Sequence, residues 1–140
     1  MSNKSLCQYQ HIPVLSNEII NIARVAFLNV TNPVMIDGTL GLGGHTKAML
    51  SKFSNLKVYG FDKDIDVKLI VNQKLKEFLG RWKFIHDDFV NISQYIKSAN
   101  FVLLDLGVSS MQIDNRSRGF SYMLDGQLDM RMNQRQNLDA

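Results

Sequence analysis

The sequence predicts an α/β fold built on a doubly wound parallel sheet, and three observations carry that prediction. Short apolar runs alternate with stretches of helical length from residue 34 to residue 106. The runs are almost continuously apolar, as strands covered on both faces require. The first run opens directly into a glycine-rich turn, "MIDGTLGLGGHT" at 35–46, where sheets of this type place a ligand.

Taken in order, Ser16 is placed to cap a helix running to about Leu28, with Glu18 in its first turn. Ile19, Ile22, Ala23, Ala26 and Phe27 then fall on one face. "TNP" at 31–33 breaks this helix and "VMI" enters as a short buried strand. After the glycines, "HTKAMLSKF" reads as a helix closed by "SN". "LKVYGF" is a second strand ending at Asp62, followed by a helix from about Asp64 to Leu79 that Gly80 stops. "WKFIH" is a third strand, "VNISQYIKSA" a short helix and "FVLLDL" a fourth strand, ending around Asp105. Beyond it no period persists. Four arginines (116, 118, 131, 135) there face four aspartates (114, 125, 129, 139), so the segment is no simple basic patch.

Composition narrows the class. With 140 residues, 45% of them hydrophobic, the chain has material for one globular core. Its net charge of +3 is compatible with a nucleic-acid partner without requiring one. Cys7 is the single cysteine, so no internal disulfide forms and a reducing, cytoplasmic setting is expected. The leader "MSNKSLCQYQ" lacks the apolar centre of a signal peptide, and no apolar run reaches the ~20 residues that span a bilayer. The three histidines are scattered, and no metal site is expected.

Four glycines in seven residues, Gly38, Gly41, Gly43 and Gly44, exceed the needs of a turn and point to a ligand approaching bare backbone. A dinucleotide fingerprint beginning at Gly41 finds Gly43 in place but Thr46 where the third glycine belongs. Asp37 precedes the turn. A carboxylate facing a ligand there repels a pyrophosphate and attracts the ammonium and sulfonium of S-adenosylmethionine. Asp62, closing the second strand, suits the two ribose hydroxyls of any adenosyl ligand. It serves equally as a cap for the following helix. Phe89 is placed to cover an adenine or to fill the core. Asp105 suits the methylation of an exocyclic amine, where a carboxylate accepts the N–H and orients the lone pair; hydride transfer has no comparable use for it. His45, opening a helix, is a positioning or a structural residue.

With these residues in place, the chain resembles the bacterial 16S ribosomal RNA (cytosine-N4)-methyltransferase H family (RsmH, also called MraW), along nearly its whole length. The matching stretches are "HIPVL" at 11–15, "IDGTLGLGGHT" at 36–46, "GFDKD" at 60–64, "DLGVSSMQID" at 105–114, "RGFSY" at 118–122 and "DGQLDMRMN" at 125–133. The resemblance implies a Rossmann-like class I methyltransferase core that uses S-adenosylmethionine to methylate the N4 amine of a cytidine in small-subunit ribosomal RNA. It implies cofactor contacts at Gly43, Gly44, His45, Asp62, Phe89, Asp105 and Gln112, beside Asp37 and Gly41 from the residue reading, with Asp105 as the catalytic acceptor. It further implies a core incomplete at its C-terminus. Residues 1–30 form a leading segment and helix, 31–110 the first part of the core, and 111–140 a loop region opening an inserted substrate-recognition domain. On that reading the chain alone is expected to bind cofactor weakly at best. Leu42, Met111 and Gln127 depart from the family pattern, with Leu42 tolerated if it points outward.

Arg116, Arg118, Phe120 and Tyr122 interleave charge with aromatics in the manner of an RNA-contacting loop. They fit equally a packed loop in which the arginines engage its aspartates. Two other functions stay open on sequence alone: a nicotinamide-dependent oxidoreductase domain, and a non-catalytic interaction module. A homodimer is compatible with the sequence, which does not fix the oligomeric state.

Overall fold

The computed structural model describes residues 13–134 and 137. Cys7 and the leader lie outside the described residues. The chain divides into two compact units, one ending at Asp105 and one containing residues from Leu106 onward.

The first unit is a four-stranded, wholly parallel sheet in the order β3-β2-β1-β4. Its strands are β1 (Val34–Asp37), β2 (Lys57–Asp62), β3 (Trp82–His86) and β4 (Phe101–Leu103). The helices are α1 (Ser16–Ala26), α2 (Gly44–Lys52), α3 (Val67–Lys74) and α4 (Ile92–Tyr95). Strand order runs outward from β1 through β2 to β3, then returns to the other side of β1 for β4. The reversal therefore lies between β1 and β4, and such a crevice is where open α/β sheets bind ligands.

Ile36, Phe61 and Ile85, one from each of three adjacent strands, form a buried cluster with Tyr59, Ile92, Ile96 and Ala99 against it. Met35, Val58, Met49, Leu50 and Leu56 are also buried. Phe27 of the α1 end meets Phe53 edge-on at 5.0 Å. Arg81 donates to the carbonyls of Leu50, Phe53 and Ser54, satisfying the open C-terminal end of α2. Both faces are not equally covered, however: Val102 at the centre of β4 is exposed.

Several boundaries differ from the sequence expectation, each for a local reason. Ser16 is not a cap; Leu15 holds that position in a left-handed conformation, without a side-chain cap bond. α3 starts at Val67 because two carboxylates compete for the preceding backbone. The Asp62 side chain accepts from the Asp64 N–H at 2.8 Å, and Asp64 accepts from the Asp66 N–H at 3.0 Å. It ends at Lys74, before a 3₁₀ turn at Lys76–Phe78, and the Leu75 carbonyl accepts from the Trp82 indole at 3.2 Å. β4 stops at Leu103, since β1 ends opposite it at Asp37. Asp105 therefore lies beyond the strand.

The second unit contains α5 (Ser110–Asp114) and a 3₁₀ turn at Arg116–Arg118. Ser109 caps α5: its hydroxyl accepts from the Gln112 N–H, while the Gln112 side chain accepts from the Ser109 N–H at 2.9 Å. Arg118 is 4% exposed and donates to the carbonyls of Arg131 and Met132 at 3.1 and 3.0 Å. Its own carbonyl accepts from the Met130 N–H. Arg131 pairs with Asp129 at 2.6 Å, which holds the Asp129 carboxyl down at about 2. Of the two readings of this loop, these bonds favour the packed one for Arg118, with backbone carbonyls as its partners where aspartates were expected. Tyr122, by contrast, is 96% exposed.

Candidate active site

The glycines after β1 serve different ends. A Cβ on Gly38 would overlap the Leu104 side chain, and one on Gly44 would come within 2.8 Å of Pro13. Gly43 has φ +70 and would meet Val71 at 3.3 Å. These three are explained by packing and backbone conformation. Gly41 answers to backbone conformation alone: its φ is +50, and an added Cβ would meet only the Thr39 carbonyl, at 3.8 Å. Bare, unhindered backbone at Gly41 is what a close-lying ligand needs. Leu42, a departure tolerated if it pointed outward, is instead buried. Leu40 packs over Gly60 of β2, where a side chain would displace it.

Asp62 fastens this turn to β2. Its Oδ2 accepts from the Gly41 N–H at 2.7 Å, and its Oδ1 from Asp64. It is half-buried, and burial raises its pKa against those two bonds. Each carboxylate oxygen keeps further acceptor capacity.

Asp37 stands differently from the ligand-facing carboxylate expected of it. It is 1% exposed, and its two oxygens accept from the Thr46 hydroxyl at 2.7 Å and the Thr39 N–H at 3.3 Å. Burial pushes its carboxyl up to about 6, opposed by those bonds and by His45 nearby. The charge is turned into the unit because the start of α2 and the turn both offer it donors. Thr46, read from sequence only as a missing glycine, is its partner.

His45 is buried, with Nε2 3.4 Å from Oδ2 of Asp105, whose side chain is 49% exposed. The Asp105 N–H donates to the Thr39 hydroxyl at 2.7 Å. Phe89 is half-buried, with its Cβ beside Gly38 at the β1 end. Asp37, Gly41, His45, Asp62, Phe89 and Asp105 thus gather around the carboxyl ends of the strands. Gln112 belongs to the second unit, where its side chain completes the α5 cap. Sequence reasoning missed Thr39 and Thr46; a small hydroxyl residue beside a buried aspartate was the available signal. It also missed the Ser109–Gln112 spacing of a capping box.

Among the described residues no group of three or more His, Cys, Asp or Glu side chains could hold a metal ion. Nor is any described helix long and apolar enough to cross a membrane.

The site can be set against known proteins. The family model described as the MraW methylase family matches residues 8–140. The chain belongs to the MraW methylase family. Among curated MraW relatives, the ribosomal RNA small subunit methyltransferase H of Kocuria rhizophila is 41% identical over 138 residues, 95% of this chain and 42% of that protein. Its counterpart from Mycoplasma mobile is 43% identical over 135 residues, 93% of this chain and 43% of its own length. The chain therefore spans less than half the length of these relatives. A solved structure from Pyrococcus horikoshii, proposed to be an RNA methyltransferase, superimposes with TM-score 0.57 at 20% identity. It covers 75% of this chain and 51% of its own, and shares the fold.

Proposed function

We propose that this MraW-family chain takes part in S-adenosylmethionine-dependent methylation of the N4 amine of a cytidine in 16S ribosomal RNA. The observation that carries the reading is family membership together with relatives named ribosomal RNA small subunit methyltransferase H. The site fits the cofactor on one point of its own: unhindered backbone at Gly41, bonded to a half-buried Asp62. Bound there, S-adenosylmethionine would supply an electrophilic methyl group on its sulfonium.

The chain's residues do the rest. Asp62 offers its remaining lone pairs to ribose hydroxyls while it holds the turn. The first-turn amides of α2, which any helix leaves unbonded, suit the cofactor's carboxylate. Phe89 flanks the adenine. Asp37 acts from behind, fixing the start of α2 through Thr46. Gln112, a cofactor contact by resemblance, has its described role in the α5 cap.

Asp105 receives the target base. Its exposed carboxylate accepts a hydrogen bond from the N4 amine, turns the nitrogen lone pair away from itself, and takes up the proton the amine loses. The cytidine must leave its stack to reach a crevice at the strand ends. Proximity and alignment then supply most of the acceleration. Small-subunit RNA is the partner in this reading, and a cytoplasmic setting follows from it.

A nicotinamide reading is weaker, because Thr46 occupies the third-glycine position and bonds Asp37. The test is chemical: the protein is incubated with isotopically labelled S-adenosylmethionine and small subunits, and the RNA is digested to nucleosides. Labelled N4-methylcytidine is expected, at the low turnover of a chain that binds cofactor weakly, and is lost in Asp105→Ala. Label on a carbon of the base, or none, would overturn the reading.

A further inference from the structure

We propose that Thr39 is a positioning residue for methyl transfer, its hydroxyl holding the main chain at Asp105 and so fixing where that carboxylate stands. The inference rests on the methyltransferase reading and extends it to a residue with no cofactor or substrate role.

The β1–β4 ladder ends at Asp37 and Leu103. Immediately beyond, the Gly38 N–H donates to the Leu103 carbonyl at 2.9 Å. The Asp105 N–H has no strand left to pair with, and it meets the Thr39 Oγ1 at 2.7 Å instead. A side chain thus continues the ladder where the backbone has turned away. Thr39 is itself anchored, since its N–H donates to Oδ1 of the buried Asp37 at 3.3 Å. The same Asp37 holds Thr46 at 2.7 Å, next to His45, and the His45 ring approaches the Asp105 carboxylate at 3.4 Å.

Asp105 is therefore held by its main chain through Thr39, a hold that traces back to Asp37, while its carboxylate lies beside the His45 ring. An exposed loop carboxylate without such a tether would sample positions on the ångström scale, and misplacement of about 1 Å costs on the order of a hundredfold in rate. The Thr39 hydroxyl links the cofactor turn to the acceptor residue, and its loss should be felt in transfer rather than in cofactor affinity.

Thr39→Val removes the acceptor with little change of shape, and Thr39→Ser keeps it. Three quantities are read on the protein and both variants: the S-adenosylmethionine Kd, the single-turnover rate of methyl transfer to small-subunit RNA, and hydrogen exchange at the Asp105 amide. For Thr39→Val the Kd is expected to stay within about twofold, the transfer rate to fall about tenfold, and exchange to quicken about tenfold, a single 1.4 kcal/mol bond's worth. Thr39→Ser should restore both rates. Unchanged exchange would overturn the tether. Unchanged transfer beside faster exchange would overturn the positioning role. Equal losses of affinity and rate would overturn it too, making Thr39 part of the cofactor turn. Should the parent protein bind S-adenosylmethionine yet transfer no methyl to RNA, the methyltransferase reading fails first and the positioning role with it, while the exchange data still decide the tether.

Discussion

In the turn after β1, Gly43 and Gly44 make room for the side chains of Val71 and Pro13, whereas in the loop of residues 115–134 Gly119 and Gly126 make room for backbone. A Cβ on Gly119 would come within 2.6 Å of the Asp129 nitrogen and overlap the Gln127 carbonyl; one on Gly126 would overlap the Arg116 carbonyl. A side chain such as that of Val71 can give by a few tenths of an ångström, but a packed backbone cannot. The turn is held by hydrogen bonds at Gly38, Thr39, Leu40 and Gly41, yet it leaves the space beside Gly41 open. The loop is a closed backbone knot, with Arg118 committed to its carbonyls. Of the two glycine-built segments, only the turn has the open face a small ligand needs.

The largest effect that would break this comparison is at Gly119. Gly119→Ala places a side chain at φ +72 against backbone, and should destabilise the loop by about 3 kcal/mol. Limited proteolysis between residues 115 and 134 would read it. A loop as resistant as the parent's would show that the knot can relax.

Next is a pH effect confined to the sheet unit. Asp37 is raised to about 6 in the folded chain from 3.8, so the folded state holds a proton that the unfolded chain releases first. Its contribution is fully present below pH 4 and is lost as pH climbs through about 6, a change of about 3 kcal/mol. Asp62 is shifted the same way. Thermal denaturation should therefore show a stability falling between pH 4 and 6, with Asp37→Asn flattening the slope. A slope of equal size in that variant would place the titration elsewhere.

Asp62→Ala removes the acceptor for two backbone donors and should lower stability by about 2 kcal/mol. The smallest effect belongs to Gly41→Ala, about 1 kcal/mol for the left-handed conformation alone, because no neighbour obstructs the added carbon. Urea midpoints of the two variants would rank them. A Gly41→Ala cost as large as that of Gly119→Ala would erase the distinction between turn and loop.

The strand–helix alternation was legible because apolar runs and breakers mark it locally, and β3 was read to the residue. The helix starts were not, since Asp62 and Asp64 take backbone donors that a periodicity cannot weigh. The site residues were recognisable as a set from glycine spacing and strand-end carboxylates. Their orientations were not. Asp37 and Asp105 look alike in sequence, each closing an apolar run, yet one is sealed inside by threonines and the other half-exposed. That difference depends on partners 9 and 66 residues away in the chain, a hydroxyl that donates to Asp37 and one that accepts from the Asp105 N–H. Arg118, likewise, could be assigned to carbonyls and not to RNA only when residues 131 and 132 were folded beside it.

The most direct test of the central claim is calorimetric titration of S-adenosylmethionine into the protein and into Asp62→Ala, with NAD as the control ligand and circular dichroism to verify folding. Heat of binding is expected from S-adenosylmethionine alone, and its loss in Asp62→Ala. A folded protein that takes NAD in preference, or that binds S-adenosylmethionine equally well without the Asp62 carboxylate, would contradict it.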